Sequence, residues 1–362
     1  MPDPLTTTSA LSSYLTARST PHTSIALLTG GTANFVYRVT LPDSKTVIYK
    51  HAAPHLSSNH NFAFDPARMD YEDRALEILP PLLSQHFKDS RGEETSVHAV
   101  RWFFYDKENK LLCISDGGDL NLKIAYTDLA LDIPSIGREI GTWIAALHSC
   151  SKTTSLSLEG DEDLEKNNAV GVAIYRHSYK NVHVALSSYG HDPEFGKLID
   201  EEYGSRLATE NECVCHGDFW PGNVLVRQEG GQGKPELTIV DWEITRRGTS
   251  ATDIGQFAAE AYLLDRFHGN RGLLPAFLTS YAEARAAELN REWVRRMVVH
   301  WGVHIAYWPT RVEWTDHEGT GKLVEIGLKT MKAVVEGDWE QLRTSELLKD
   351  VAAGWGKFWE RT

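Results

Sequence analysis

The chain has 362 residues, 41% of them hydrophobic and 24% charged, and a formal net charge of −13. This length predicts two domains, or one domain with two lobes, and it allows a large core without disulfide bonds. The acidic balance argues against a nucleic-acid-binding protein, which needs a basic surface. We find neither a signal-peptide pattern nor the roughly 20 apolar residues of a membrane span. Four scattered cysteines are too few for a disulfide framework, so we expect a cytoplasmic protein.

The first third of the chain is rich in predicted strands. Residues 35–39 and 46–50 are β-branched and aromatic and flank a polar turn, which predicts a hairpin. A second turn, containing Gly30 and Gly31, precedes this hairpin. Further along, the pattern predicts one helix and two more strands, at residues 69–79, 97–105 and 111–115.

The pattern changes to mainly helical in the second part of the chain. Apolar residues recur at helical spacing between 136 and 147, after a helix start at Pro134, and residues 151–168 are polar enough for a loop. Two short strands, 224–226 and 237–240, are separated by a hairpin loop at 230–235. Residues 253–350 are almost entirely helical in pattern.

Strands followed by helices predict an α+β fold with two unequal lobes. We expect a small β-rich lobe at residues 1–116 and a large, mainly helical lobe at residues 117–362. Gly117 and Gly118 lie where the hinge between the lobes is expected.

The strongest chemical signal is the segment from His216 to Asn223, followed by Asp241 after an apolar strand. Phosphoryl transfer needs a carboxylate near the attacking hydroxyl and oxygen ligands for Mg²⁺. Asp218 fits the role of the base, while Asn223 and Asp241 fit the metal. Taken singly, each is more simply interpreted as a turn or cap residue. Their joint spacing around two short strands favours a catalytic site, with His216 as a structural support.

The first third of the chain contains residues suited to holding a nucleotide. The glycine turn can cover phosphates with backbone N–H groups, and a lysine at a strand end can reach them. A helix glutamate can pair with that lysine. Each feature alone fits an ordinary turn or a solvated side chain, but their order along the chain is that of a kinase site. The candidates are Gly30, Gly31, Thr32, Asn34, Lys50 and Glu72.

These motifs resemble the aminoglycoside phosphotransferase and choline kinase superfamily, whose members share a bilobal protein-kinase-like fold. The resemblance covers residues 28–314, and within the superfamily it extends to the methylthioribose-kinase-like branch and the fungal 4-hydroxytryptamine kinases. His216-Gly217-Asp218 and Asp241-Trp242-Glu243 are the small-molecule versions of the protein-kinase motifs. Further matches to the fungal enzymes are residues 30–39, 50–55 and 262–267, together with His304, Trp308 and Trp314.

The resemblance implies ATP and Mg²⁺ as cofactors, a Lys50–Glu72 ion pair, and adenine contacts at the hinge, including Ile114 and Asp116. The chain also departs from its relatives. Its hinge sequence differs, the fungal enzymes replace His216, and methylthioribose kinases usually lack an equivalent of Asn223. The identity of the acceptor therefore does not follow from the resemblance.

The helical region contains the candidates for acceptor binding. Aromatic walls beside a carboxylate suit an aromatic or ammonium-bearing alcohol, although each aromatic residue is also a normal core residue. Arg246 and Arg247 follow the predicted metal ligand Asp241, and they could contact phosphate or a hydroxylated substrate, or could simply be solvated. The candidate acceptor contacts are Trp220, Glu243, Arg246, Glu260, His304, Trp308 and Trp314.

These observations favour an ATP-dependent kinase that phosphorylates a small alcohol or phenol, preferably a hydroxylated amine such as a 4-hydroxytryptamine-like or choline-like compound. No nucleic acid, membrane or protein partner is expected. A sugar kinase of the methylthioribose type and an aminoglycoside phosphotransferase remain alternatives. A protein kinase would need an activation-loop signature, which we do not find after Asp241. A catalytically inactive nucleotide-binding module would not need the intact set of site residues.

Overall fold

The computed structural model of the chain describes residues 5–91, 95–228 and 234–362. Its main sheet has five strands in the order β1-β2-β3-β6-β5, all antiparallel to their neighbours. The strands in the described residues are β1 (Ser24–Leu28), β2 (Phe35–Thr40), β3 (Thr46–His51), β4 (Val97–Ala99), β5 (Trp102–Asp106), β6 (Leu111–Ser115), β7 (Cys213–Cys215), β8 (Val224–Arg227), β9 (Glu236–Ile239) and β10 (Arg246–Gly248).

The predicted hairpin is formed by β2 and β3, with Val36 opposite Lys50 in the register. Alternate residues of β2 are buried, as expected for a strand with one face on a core. Tyr37 and Val39 pack in a small cluster with Leu11 and Leu15 of the first helix, which the sequence pattern did not reveal.

One predicted strand proved to be two, which corrects the expectation for residues 97–105. Residues 97–99 leave the main sheet and pair in parallel with β9, which pairs antiparallel with β8. The chain turns at Val100, whose N–H donates to the carbonyl of Ile239. Residues 97–105 have high β-propensity throughout, so the sequence pattern did not show that they belong to two different sheets. Residues 230–233 of the predicted loop between β8 and β9 lie outside the described residues.

The helices account for most of the remaining described chain. They are α1 (Thr8–Ala17), α2 (Arg68–Arg91), α3 (Leu122–Ala125), α4 (Ile133–Cys150), α5 (Ala169–Tyr175), α6 (His177–Ser188), α7 (Pro193–Ile199), α8 (Ser250–Phe267), α9 (Leu273–Ala284), α10 (Arg291–Tyr307), α11 (His317–Glu336), α12 (Trp339–Arg343) and α13 (Ala352–Trp359).

Helix α2 extends well beyond the predicted end at residue 79 and contains Pro80 and Pro81. Prolines usually end a helix, which is why the sequence favoured an earlier stop. Here Leu79, Leu83 and Phe87 are all buried in the main core, so the apolar stripe continues past the prolines.

Helix α8 lies at the centre of the helical part, because nearly all of its residues are buried. It packs closely with α9 and α10, and its N-terminal half lies beside residues 216–223, the predicted catalytic segment. The predicted α+β organisation, a strand-rich part followed by helices, is confirmed. The lobe boundary at residue 116 stays a prediction.

None of the helices in the described ranges combines the length and the apolar character that a membrane crossing requires. The four cysteines are free thiols, so the described chain contains no disulfide.

Candidate active site

Lys50 lies at the centre of a buried charged cluster. Its Nζ donates to both carboxylate oxygens of Glu72, at 2.7 and 2.9 Å, and to Oδ1 of Asp241 at 2.6 Å. Lys50 and Glu72 are almost fully buried, whereas 45% of the Asp241 side chain is exposed. Strand β3 and helix α2 thus position a cation beside the aspartate that follows β9.

The charges in this cluster stabilise one another. Burial disfavours the ionised form of Lys50, but Asp241 and Glu72 outweigh burial and raise its pKa. Burial likewise opposes ionisation of Asp241, and the Lys50 ammonium overcomes it, so the pKa of Asp241 is lowered. Glu72 has the reverse balance, because its burial exceeds the attraction of Lys50 and raises its pKa to about 7.

The Asp218 carboxylate is held by two side-chain amides. Gln256 Nε2 donates to Oδ1 at 2.8 Å, and Asn223 Nδ2 donates to Oδ2 at 3.0 Å. Burial, aided by the nearby charge of Asp241, raises the pKa of Asp218 to about 7, against the opposing effect of both amides. A carboxylate with a pKa near neutrality and a fixed orientation is suited to accept a proton at physiological pH.

His216 is a support of the catalytic segment in this geometry. Its Nε2 lies 3.0 Å from the Val240 carbonyl, and its Nδ1 lies 3.2 Å from the backbone N–H of Asp218. These partners define a neutral tautomer that donates from Nε2 and accepts at Nδ1. Burial lowers the pKa of His216 to about 4, so the ring stays neutral near pH 7. Both ring nitrogens are occupied by the backbone.

Asp253 and Gly217 fix the backbone of the same segment. The buried Asp253 carboxylate accepts hydrogen bonds from the N–H groups of His216 and Gly217, at 2.7 and 3.1 Å. Gly217 has a φ of +85°, and an added Cβ would lie 2.1 Å from the carbonyl oxygen of Ile244. Only glycine fits here, since the left-handed conformation and the close approach both exclude a side chain.

The predicted glycine turn lies between β1 and β2. Gly30 has a φ of +107°, and a Cβ on Gly30 or Gly31 would meet no atom within 4 Å. The backbone of the turn is therefore open to a ligand. The Thr32 carbonyl accepts hydrogen bonds from the hydroxyls of Ser57 and Ser58.

Asn34 and Glu243 connect this turn to the segment after β9. Asn34 Nδ2 donates to Glu243 Oε2 at 2.8 Å, and the buried Arg68 donates to the same oxygen at 2.9 Å and to Asn34 Oδ1. Glu243, a candidate acceptor contact in the sequence, is thus engaged with the glycine turn and helix α2. Arg68 was missed, although it lies four residues before Glu72 and therefore on the same helical face.

At the predicted hinge, Ile114 is buried and pairs with Ile48 across the sheet. Asp116 accepts hydrogen bonds from Arg38 Nε at 2.6 Å and Nη2 at 3.0 Å. Burial raises the pKa of Asp116, but the Arg38 guanidinium outweighs burial and the net shift is downward. Both side chains are thus engaged within the protein, Ile114 in the core and Asp116 with Arg38.

Five of the predicted acceptor contacts lie close together, linked by contacts with one another or with Lys123. Glu260 Oε1 lies 2.8 Å from His304 Nε2, and the His304 and Trp308 rings are 6.1 Å apart. Trp314 and Trp220 approach the same region, because the Lys123 ammonium lies over both rings.

Arg246, like Glu243, lies apart from this group of predicted acceptor contacts. It is fully buried, with its guanidinium 4.2 Å from the Tyr175 ring centroid and Nη2 donating to Thr252. In this conformation it has no surface on which to meet an acceptor.

Two further residues of the site were missed in the sequence. Gln256 lies one helical turn before Glu260, so the helical periodicity of α8 was a usable signal. Lys123 gave no signal, since it lies on the short helix α3, far in sequence from its partners.

Known proteins resemble this chain in sequence and in fold. A model of the phosphotransferase enzyme family matches residues 24–296. A 4-hydroxytryptamine kinase of Psilocybe cyanescens is 26% identical over 366 residues, covering 96% of this chain and 98% of that protein. A 4-hydroxytryptamine kinase of Psilocybe cubensis is 26% identical over 341 residues, covering 89% and 91%.

Among solved structures, the GDP complex of a mutant aminoglycoside 2′-phosphotransferase-IIIa aligns with a TM-score of 0.50. The two chains are 11% identical, and the alignment covers 97% of this chain and 99% of that chain. At this identity the likeness shows the fold alone, and it confirms the predicted protein-kinase-like fold. The match to the family model spans well over half of the chain, so this protein belongs to the phosphotransferase enzyme family and is a small-molecule phosphotransferase that acts on a hydroxyl group.

Proposed function

We propose that this chain transfers the γ-phosphate of ATP to the hydroxyl of a small hydroxylated amine. The observation that carries the proposal is the arrangement along α8. Gln256 holds the Asp218 carboxylate, and Glu260 presents a second carboxylate one helical turn away beside Trp220 and Trp314, with the Lys123 ammonium between them. The proton acceptor, held by Gln256, and a site for a cation, at Glu260, thus lie beside the same face of one helix.

The nucleotide side of the site suits Mg²⁺-ATP. Asn223 and Asp241 supply hard oxygen ligands, which Mg²⁺ prefers. Asn223 donates its amide N–H to Asp218, which leaves its carbonyl oxygen for a metal. When bound, Mg²⁺ neutralises charge on the transferred phosphoryl group. Lys50, held by Glu72, would contact the α- and β-phosphates, and the open backbone near Gly30 would cover them.

Asp218 would act on the acceptor hydroxyl as the general base. Its pKa of about 7 leaves a large fraction ionised at physiological pH, and Gln256 and Asn223 fix the direction of its oxygens. The proton of the hydroxyl passes to a carboxylate oxygen as the hydroxyl oxygen bonds to the γ-phosphorus, and the bond from that phosphorus to the bridging oxygen breaks, with ADP as the leaving group. His216 takes no proton, because both its ring nitrogens are hydrogen-bonded to the backbone.

The acceptor class follows from the groups around Glu260. Aromatic faces next to a carboxylate bind alkylammonium ions through cation–π and ion-pair contacts. The two Psilocybe relatives are named as kinases of 4-hydroxytryptamine, a compound with both a hydroxyl and an amine. We therefore favour hydroxylated amines over sugars as acceptors.

The test is a screen for acceptor-dependent ATP consumption with Mg²⁺ across indole alcohols, choline-like amines, sugars and aminoglycosides. The proposal predicts turnover with at least one hydroxylated amine, with a phosphorylated product identified by mass spectrometry. Turnover with sugars alone would favour the methylthioribose-type alternative. Nucleotide binding without turnover on any acceptor would favour an inactive binding module, and phosphate transfer to a generic protein substrate would indicate a protein kinase.

A further inference from the structure

The ammonium of Lys123 occupies the position where a cationic acceptor is expected. Its Nζ lies 4.2 Å from the ring centroid of Trp314 and 5.2 Å from that of Trp220. The same atom lies 3.9 Å from Glu260 Oε2. We call these three partners, Trp220, Trp314 and Glu260, the ammonium box.

The carboxylate of this box is only partly satisfied by the protein. Glu260 Oε1 is 2.8 Å from His304 Nε2, whereas Oε2 is buried and makes no hydrogen bond within the described part of the chain. A buried carboxylate oxygen without a hydrogen bond is unfavourable, so this oxygen favours a closer cationic donor. At 3.9 Å, Lys123 supplies charge without a hydrogen bond.

The Lys123 side chain is only weakly held in the ammonium box. It lies on the four-residue helix α3, and 30% of its side chain is exposed. A lysine ammonium sits on a flexible four-carbon stem, and cation–π contacts at partly exposed sites are worth about 0.5–1 kcal/mol each. The side chain can therefore leave the box at a small cost.

We propose that Lys123 is an internal occupant of an alkylammonium subsite, and that the ammonium of the acceptor displaces it. This inference rests on the proposed function, since it concerns the amine end of the acceptor whose hydroxyl meets Asp218. Lys123 would thereby set specificity, because only a ligand that replaces its charge between the two tryptophans enters without leaving Oε2 of Glu260 with no cation beside it.

The spacing along α8 orients the acceptor. Gln256, which holds Asp218, and Glu260 are four residues apart, which corresponds to about 6 Å along a helix axis. An acceptor that reaches both carboxylates would therefore carry its hydroxyl toward Asp218 and its ammonium toward Glu260.

The experiment uses the full-length protein without nucleotide and measures the Kd of tryptamine by calorimetry. Tryptamine has the ammonium but no hydroxyl, so its binding does not depend on phosphate transfer. In Lys123→Met, which keeps the stem and removes the charge, we expect tryptamine to bind about fivefold more tightly or better, as loss of a competing cation predicts. Indole, which lacks the ammonium, should bind both proteins equally.

The matched control is Lys322→Met, which removes the same charge at an exposed helix position where Lys322 pairs with Glu318. Its Kd for tryptamine should equal that of the wild type. Trp314→Leu should weaken tryptamine binding whether or not Lys123 is present, and thermal unfolding checks that every variant is folded.

An unchanged or weaker affinity of folded Lys123→Met for tryptamine would overturn the inference. The two measurements distinguish failure of this inference from failure of the proposed function. A screen without any amine acceptor, combined with tighter tryptamine binding by Lys123→Met, would refute the proposed reaction and leave the ammonium box in place. Turnover of a hydroxylated amine, combined with equal affinities of the wild type and Lys123→Met for tryptamine, would support the proposed reaction and refute the displacement of Lys123.

Discussion

The elevated pKa of Asp218 predicts a specific pH dependence of stability, which the variant Asp218→Asn isolates. In the folded protein this pKa is about 7, raised from 3.8 mainly by burial. Between these two values the folded state binds one more proton at Asp218 than the unfolded state does. Stability from this group is therefore complete below the unfolded pKa and is lost as the pH rises through the folded pKa.

The magnitude follows from the size of the shift. Each unit of pKa difference is worth about 1.4 kcal/mol, so a shift of roughly three units corresponds to about 4 kcal/mol. About a third of this shift lies below pH 5, and the carboxylate retains some contact with solvent, so about 2 kcal/mol is expected between pH 5 and pH 8. Asparagine does not titrate. The free energy of unfolding of the wild type relative to Asp218→Asn should therefore fall by about 2 kcal/mol between pH 5 and pH 8.

The assay is urea unfolding of both proteins at pH 5, 6, 7 and 8, without nucleotide or Mg²⁺. Glu72, whose pKa is also about 7, is present in both proteins and cancels in the difference. A difference that stays constant across this range, or that rises with pH, would refute the reasoning about Asp218.

Two further predictions concern the supports of the site. Gly217→Ala should destabilise the protein by about 1–3 kcal/mol and abolish phosphate transfer, because the added Cβ would meet the Ile244 carbonyl. The control is Gly190→Ala, at a φ of +77° but with open space around it, which should keep phosphate transfer in the same kinetic assay. Lys50→Met should cost about 3 kcal/mol by leaving Glu72 buried without its cation. Adding Glu72→Leu should restore much of the unfolding free energy but not nucleotide affinity, and recovery of both would contradict the assigned role of Lys50.

The sequence predicted those parts of the site that depend on local patterns. The turn, strand and helix that carry Gly30, Lys50 and Glu72 each have a periodicity or propensity of their own. The catalytic segment at 216–223 and the strand before Asp241 were visible for the same reason. Their order along the chain was then sufficient to predict one shared cleft.

What the sequence did not predict depends on contacts between distant residues. Glu243 is held by Asn34 and Arg68, which both lie more than 170 residues earlier in the chain. No local sequence pattern encodes these contacts. Arg246 looked solvent-accessible beside the site but is buried against Tyr175. Burial is a property of packing, which single-sequence periodicity records poorly in a short strand such as β10.

The helices between residues 169 and 199 were missed for a related reason. Helices α5 and α7 have seven residues each, which is too short for a clear apolar period. Asparagine and aspartate caps mark their starts, since Asn168 accepts from Gly171 N–H and Asp192 from Glu194 N–H. Asparagine and aspartate also make the same side-chain hydrogen bonds in loops, so the caps alone did not distinguish a short helix from a loop.

The most direct test of the central claim is the turnover number of Asp218→Asn with Mg²⁺-ATP and an acceptor from the screen, measured together with its affinity for ATP. If Asp218 is the base, turnover should fall by about 10²- to 10⁴-fold while the Kd for ATP stays within about twofold of the wild type. Turnover within tenfold of the wild type would contradict the assignment of Asp218, and with it the proposed mechanism.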